Sequence, residues 1–342
     1  MKRDPLVFVR ADGSTAIGIG HILRSLTLAQ ELKLEGYDVV FLCRELNNVL
    51  VKRIKDAGCG FVLIPKIEPF EQEKIFVGSL IKERKPQWII VDHYGIKEDY
   101  YSFLGKHSVK ILAIDDINHT RFPVNILLNQ NIHALDLKYE CLPKTVQLLG
   151  PQYALVRKIY QQRRQNALIR KELSNVLIFM GGGDQDNQTL KVFHAACSLR
   201  RSIKIQIVIG GAYPHRRSLE QEVKNSGRDV VIHQDLDHLA DVMLCADLAI
   251  GSGGSVSWEM ATMKLPMVLM PIAENQRGVV DSLAKTGAAI NAGWFRDTSK
   301  EQLAKILVSL TDVQLAQMSQ VSSGVCDGAG VSKVIKTVGS IS

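Results

Sequence analysis

One pattern constrains this chain more than any other: a short apolar run, a turn carrying glycine, and a segment with apolar residues at helical spacing, repeated many times. The first copy reads 6–10 as a strand, the loop ADGSTAIGIGH, and then 22–35, where Ile22, Leu26, Ala29 and Leu32 recur every three or four residues up to Gly36. Such a sequence builds a parallel sheet with helical crossovers. Further strands are predicted at 38–43, 60–64, 88–92, 110–114 and 126–129, with helices between them. After Gly150 the chain turns polar and basic as far as about Leu173, and the pattern restarts with 175–180 and the turn GGGDQDN. Strands are then predicted at 204–209, 230–233, 248–251, 266–270 and 288–291, and helices at 188–199, 217–225, 236–245, 255–263, 275–286 and 300–310. The expectation is an α/β protein of two Rossmann-like, doubly wound domains, 1–155 and 174–342, joined by a linker at 156–173. A length of 342 residues suits two domains of about 150 residues each.

Charge and cysteine use narrow the partners. A formal charge of +7 gives mild long-range attraction for anions such as phosphorylated metabolites. Lys and Arg are spread along the chain without interleaved aromatic residues, so nucleic acid is not an expected partner. The one dense patch, Arg157, Lys158, Arg163, Arg164, Arg170 and Lys171, falls in the expected linker and reads as a solvated face. Six cysteines without a CxxC pair read as reduced thiols. The N-terminus lacks the form of a signal peptide, and no stretch reaches 18 apolar residues, so a cytoplasmic protein with no membrane partner is expected. The state of assembly is left open, with a monomer as the default.

In open α/β sheets ligands gather beyond the carboxyl ends of the strands, which directs attention to the loops after strands. Gly18, Gly20 and His21, preceded by Arg10 and Asp12, form the first. Glycines there let backbone approach a ligand, and the following helix directs its N-terminal amides at it. The spacing is not GxGxxG, so no dinucleotide fingerprint applies. His21 at the helix start is a candidate general base, or simply part of a helix cap. Asp92, His93 and Tyr94 end the apolar run 88–91; no partner at short spacing suggests zinc. Asp115 and Asp116 follow the next strand, where a carboxylate pair binds Mg²⁺ or sugar hydroxyls, or Asp116 caps the next segment. Gly253, Gly254 and Ser255 precede a helix and form a concavity of backbone amides suited to an anion, or a turn that needs glycine only for close packing, and Glu259, one turn on, suits the two hydroxyls of a ribose. Asn275 and Gln276 add side-chain amides after another strand, and Gly182 lies in the GGGDQDN turn.

These residues carry a resemblance that runs collinearly over essentially the full length. The chain resembles the UDP-sugar hydrolase family of pseudaminic acid biosynthesis, within the GT-B superfamily and related to the N-acetylglucosaminyltransferase that makes lipid II. The likeness rests on RADGSTAIGIGHILRSLTLA at 10–29, VDHYGI at 91–96, AIDDINHTRFPVNILLNQN at 113–131 and GPQYALVRKIY at 150–160. It continues through FMGGGDQDN at 179–187, ADLAIGSGGSVSWEM at 246–260 and AENQ at 273–276. Departures are Gly183 and Gln185 in a turn that reads GGSDP-like in relatives, and Lys333 as the basic residue after the DGAG segment at 327–330. The resemblance implies a GT-B fold with a cleft between its domains, and hydrolysis of UDP-2,4-diacetamido-2,4,6-trideoxy-β-L-altropyranose to UDP and free sugar, with inversion and C–O cleavage. It implies that His21 activates the water, that Gly253, Gly254 and Ser255 bind the diphosphate of UDP and Glu259 its ribose, with Gly182 also on the UDP side, and that Tyr94 and Asn275 lie near the sugar. No metal or organic cofactor is expected.

The chemistry is consistent with one base and no carboxylate pair. Glycosidases that cleave a sugar ether need an acid and a base or nucleophile, whereas UDP leaves readily when amides and a helix end stabilise its charge. The rival readings are a UDP-sugar glycosyltransferase on the same scaffold and a non-catalytic nucleotide-sugar binder.

Overall fold

The computed structural model describes residues 4–13, 19–65, 70–200 and 202–341; Gly18 of the glycine-rich loop lies outside them. The chain divides into two compact units, Met1–Val156 with Ala329–Ser342, and Arg157–Gly328.

The first unit contains β1 (Leu6–Ala11), α1 (Gly20–Leu34), β2 (Asp38–Cys43), α2 (Asn48–Asp56), β3 (Gly60–Leu63), α3 (Phe70–Arg84), β4 (Trp88–Asp92), α4 (Glu98–Leu104), β5 (Lys110–Ile114), β6 (Ile126–Asn129) and β7 (Val146–Leu149). Its seven strands pair in the order β3-β2-β1-β4-β5-β6-β7, and every pairing is parallel. Successive side chains of a strand point to opposite faces. Val7, Val9, Trp88 and Ile90 accordingly join Leu28, Leu32 and Ile54 of α1 and α2 on one face. Phe8, Ile89 and Val91 join Val77, Ile81, Tyr100 and Leu104 of α3 and α4 on the other. Burial on both faces explains why these strands read as continuous apolar runs.

The second unit begins with α5 (Lys158–Arg164) and runs through β8 (Asn175–Phe179), α6 (Gln188–Ala196), β9 (Lys204–Ile209), α7 (Arg216–Ser226), β10 (Val230–Gln234), α8 (Ala240–Cys245), β11 (Leu248–Gly251), α9 (Val256–Thr262), β12 (Met267–Leu269), α10 (Glu274–Thr286), β13 (Ala289–Asn291), α11 (Lys300–Ser309) and α12 (Asp312–Val325). Its sheet has the order β10-β9-β8-β11-β12-β13, again parallel throughout. Capping boxes at Ser299/Gln302 and Thr311/Gln314 start α11 and α12.

Two expectations change. The last helix, α13 (Gly330–Ile341), belongs to the first unit: Val331, Val334 and Val338 share one helical face and enter its core. The DGAG segment is where the chain returns to that unit. Gly330 abuts the backbone of Tyr153 and Ala154 so closely that no side chain fits. The basic segment, in turn, is no solvated linker face, because it belongs to the second unit and caps helix ends there. Arg164 donates to the carbonyls of Thr262 (2.7 Å), Ser323 (2.6 Å) and Cys326 (3.2 Å). Buried Arg170 donates to those of Met243 (2.9 Å) and Ala246 (2.8 Å). Cations satisfy the last carbonyls of a helix and its negative dipole end, which gives these arginines a structural purpose.

Candidate active site

In the first sheet the direction of winding reverses between β1 and β4, whose final residues Ala11 and Asp92 lie in register. Ligands bind at such switch points. On α1, His21, Arg24 and Ser25 are spaced i, i+3, i+4 and share a face, and all three reach Asp92. His21 Nδ1 lies 2.6 Å from Asp92 Oδ1. Arg24 donates Nε to Oδ2 at 2.8 Å and Nη2 to Oδ1 at 2.6 Å, and Ser25 Oγ donates to Oδ2 at 3.0 Å. Asp92 is fully buried. Burial opposes its ionisation, but the Arg24 guanidinium and the His21 ring prevail and hold the carboxyl well below the usual carboxylate range. An ionised carboxylate only accepts, so Nδ1 of His21 donates to Asp92, with Arg24 Nη2 also 3.3 Å from that nitrogen, and Nε2 is the ring nitrogen outside the pair. The His21 side chain keeps 11% exposure, which leaves it open to water.

Arg24 also bridges to the next strand end. Its Nη1 donates to Asp116 Oδ1 (3.0 Å) and Oδ2 (2.7 Å). Asp116 further accepts from Tyr94 OH (2.5 Å) and Asn131 Nδ2 (2.7 Å). The Tyr94 ring stands edge-on to His21 with centroids 4.6 Å apart. Burial again opposes the charge on Asp116, and Arg24 with the Tyr94 hydroxyl keeps its carboxyl low. Asp115 takes a different part: it accepts from the backbone of Ile117 (3.1 Å) and Asn118 (2.7 Å) and from Tyr139 OH (3.0 Å). The turn after β5 is thus capped by Asp115, and not by Asp116.

Buried Arg10 and Asp12, with half-buried His93, form a neighbouring set. Arg10 is wholly inaccessible, paired with Glu73 at 2.7 Å and Asp12 at 2.8 Å. Asp12 accepts from the backbone of Arg44 (2.6 Å) and Glu45 (3.1 Å) and faces His93 Nε2 at 3.2 Å. These partners tie β1 to the loop after β2. Gly20 is the first, exposed residue of α1.

The second unit repeats the arrangement with different chemistry. Its switch point lies between β8 and β11, and Gly182 and the loop Gly253–Ser255 follow those strands. Gly253 has φ +81°, and a side chain there would collide with Val280 of α10, so the position demands glycine. Gly210 after β9 lies against the Gly182 backbone just as closely. Gln276 accepts from Ile272 N at 2.9 Å, and Asn275 lies exposed beside it at the start of α10. Glu259 on α9 faces Arg157 at 3.4 Å. Burial raises its carboxyl above the usual range, and Arg157 offsets this only in part.

Arg24, Ser25 and Asn131 hold the candidate site's carboxylates without having stood out in the sequence, and Arg157, which faces Glu259, stood out there only as part of the basic patch. Arg24 carried a signal, since a charge between Ile22 and Leu26 falls among the buried positions of α1.

No protein-family model matches the chain. A hydrolase of Campylobacter jejuni, UDP-2,4-diacetamido-2,4,6-trideoxy-beta-L-altropyranose hydrolase, is 30% identical over 285 residues, covering 82% of this chain and 97% of that one. The chain belongs to this hydrolase family. An uncharacterized protein of Methanocaldococcus jannaschii is 27% identical over 288 residues, and the match spans 82% of this chain but only 58% of that protein's length. The spore coat polysaccharide biosynthesis protein SpsG of Bacillus subtilis is 24% identical over 335 residues, 96% of each chain. Among solved structures, MurG of Acinetobacter baumannii superposes with a TM-score of 0.70 at 16% identity, over 98% of this chain and 99% of that one. The family and this likeness agree on the GT-B fold of two Rossmann-like units. Among the described residues no helix is long and apolar enough to cross a membrane.

Proposed function

We propose that the chain hydrolyses a UDP-linked 2,4-diacetamido-2,4,6-trideoxy sugar, the substrate class named for its Campylobacter jejuni relative. The observation that carries the reading is the His21–Asp92 pair at the switch point of the first sheet, in which Nδ1 lies 2.6 Å from the carboxylate and Nε2 is the ring nitrogen outside the pair. Water gives a proton to Nε2 as its oxygen bonds to the anomeric carbon from the face opposite the leaving group. The bond from that carbon to the phosphate oxygen breaks, its electron pair leaves with UDP, and the sugar is released inverted. Asp92 stabilises the imidazolium that forms, the role of the carboxylate in a Ser-His-Asp triad. The first unit thus supplies the base and the second holds the nucleotide: Gly182, Gly253, Gly254 and Ser255 offer backbone amides to the diphosphate, and Glu259 accepts from the ribose hydroxyls. Tyr94, Asn275 and Gln276 are assigned to the sugar. All six cysteines are free, which fits the reducing cytoplasm where we place the reaction.

Turnover in ¹⁸O water, without any acceptor, tests this reading. Release of unlabelled UDP together with free sugar is expected. Labelled UDP would place the attack at phosphorus, and turnover only with an added hydroxyl acceptor would make the chain a transferase.

A further inference from the structure

Asp92 and Asp116 look at first like sugar-binding carboxylates, since one ends β4 at the switch point and the other follows β5 beside it. Their partners say otherwise. Asp92 Oδ1 accepts from His21 and Arg24, and Oδ2 from Arg24 and Ser25. Asp116 Oδ1 accepts from Arg24 and Asn131, and Oδ2 from Arg24 and Tyr94. A carboxylate has about four acceptor sites, so neither has one left for a substrate hydroxyl. Their side chains are 0% and 8% exposed, and Arg24 is 8% exposed. Of the donors in the set, Arg24 binds both carboxylates. The connections close on themselves: His21 to Asp92, Asp92 to Arg24, Arg24 to Asp116, Asp116 to Tyr94, and the Tyr94 ring back against His21.

Resting on the hydrolytic reading above, we propose that Arg24 and Asp116 are positioning residues of the His21 base. With Asp92 they form a buried cluster whose two carboxylates face one guanidinium, which leaves one negative charge uncompensated beside the ring. Before water is deprotonated that charge faces a neutral imidazole; afterwards it faces an imidazolium. The cluster is therefore complementary to the transition state and not to the ground state, the condition for raising kcat. The Arg24 fork, with Nε and Nη2 on the two oxygens of Asp92, also fixes the plane of that carboxylate so that Oδ1 meets Nδ1. Tyr94, its hydroxyl given to Asp116, presents only its ring edge to His21.

Asp116→Asn keeps the shape of the side chain and removes its charge. The expected result is a loss in kcat of roughly tenfold or more with KM and UDP affinity unchanged, the scale seen when a group supporting a reactive residue is lost. Because Asp116 acts through His21, His21→Ala and His21→Ala/Asp116→Asn should share one residual rate. A raised KM with kcat preserved, or a further loss in the double variant, overturns the proposal and makes Asp116 a sugar ligand, while the hydrolytic reading stands. Wild-type protein that releases no UDP from its UDP-sugar overturns both. Should Asp116→Asn fail to fold, Arg24→Lys carries the same test, since it keeps the charge, loses the fork, and should lower kcat less than Arg24→Gln while leaving KM alone.

Discussion

The two sheets place the same topological feature, the reversal between the first strand and its switch neighbour, in opposite chemical states. After β1, β4 and the adjoining β5 the chain carries buried, ionised side chains, with Asp12, Asp92 and Asp116 all below the usual carboxylate range. At β8 and β11 the strand ends carry glycine backbone, and the carboxyl of Glu259 is held above that range by desolvation. The contrast matches the tasks proposed for the two places. Moving a proton requires a base fixed in a low-dielectric surrounding whose charge is already in place. Holding a diphosphate requires backbone amides at close approach, which side chains would obstruct.

The comparison breaks most sharply at His21. His21→Ala should lower kcat by at least ~10²-fold, the lower end for losing a general base, while UDP binds as before. Asp92→Asn should fall in the same range, because an amide no longer enforces the Nδ1-protonated tautomer. Steady-state kinetics with calorimetry of UDP binding separates the two quantities, and a matching loss of UDP affinity would mean that the first unit also holds the nucleotide.

The converse applies to Gly253. Alanine there meets both a left-handed backbone and Val280, a strain of about 1–3 kcal/mol. UDP affinity should fall by about tenfold. Unaltered affinity by calorimetry would remove this loop from the diphosphate site.

Acid should sharpen the contrast by a smaller margin. The three depressed carboxylates of the first unit contribute stability that is complete above an unfolded-state value of about 4 and lost as pH falls below it. Glu259, raised in the folded state, acts in the opposite sense: protonation relieves it, so falling pH favours the second unit at that residue. A variant retaining Trp88 as its only tryptophan should therefore lose folded fluorescence at a higher pH than one retaining Trp258, both indoles being buried in their units. The reverse order would mean that these carboxylates do not govern acid stability.

What was legible in the sequence was local. Runs such as Trp88–Asp92, glycine turns, and a histidine opening a helix all announce themselves within a few residues. Two units, the parallel sheets and the position of His21 followed from that. Elements whose burial depends on distant chain were harder to see: β7 follows a polar stretch, and α13 finds its core 300 residues upstream of its own position, against α1. The same limit governs the site. Arg24 meets Asp92 and Asp116 across 68 and 92 residues, and nothing near Arg24 in the chain reveals either partner. Asp115 and Asp116 are adjacent in sequence yet divide the work, one capping a turn and the other holding Arg24. Basic residues from Arg157 to Lys171 looked like a solvated face because the helix ends that Arg164 and Arg170 cap lie far along the chain.

The central claim is that His21, held by Asp92, directs water at the anomeric carbon. Proton NMR of the protein with its UDP-sugar and no acceptor follows the anomeric signals of substrate and product together. Free sugar is expected to appear first as the anomer opposite to that of the substrate, followed by slow equilibration. Free sugar appearing first with retained configuration, or no free sugar without an added acceptor, would contradict that claim.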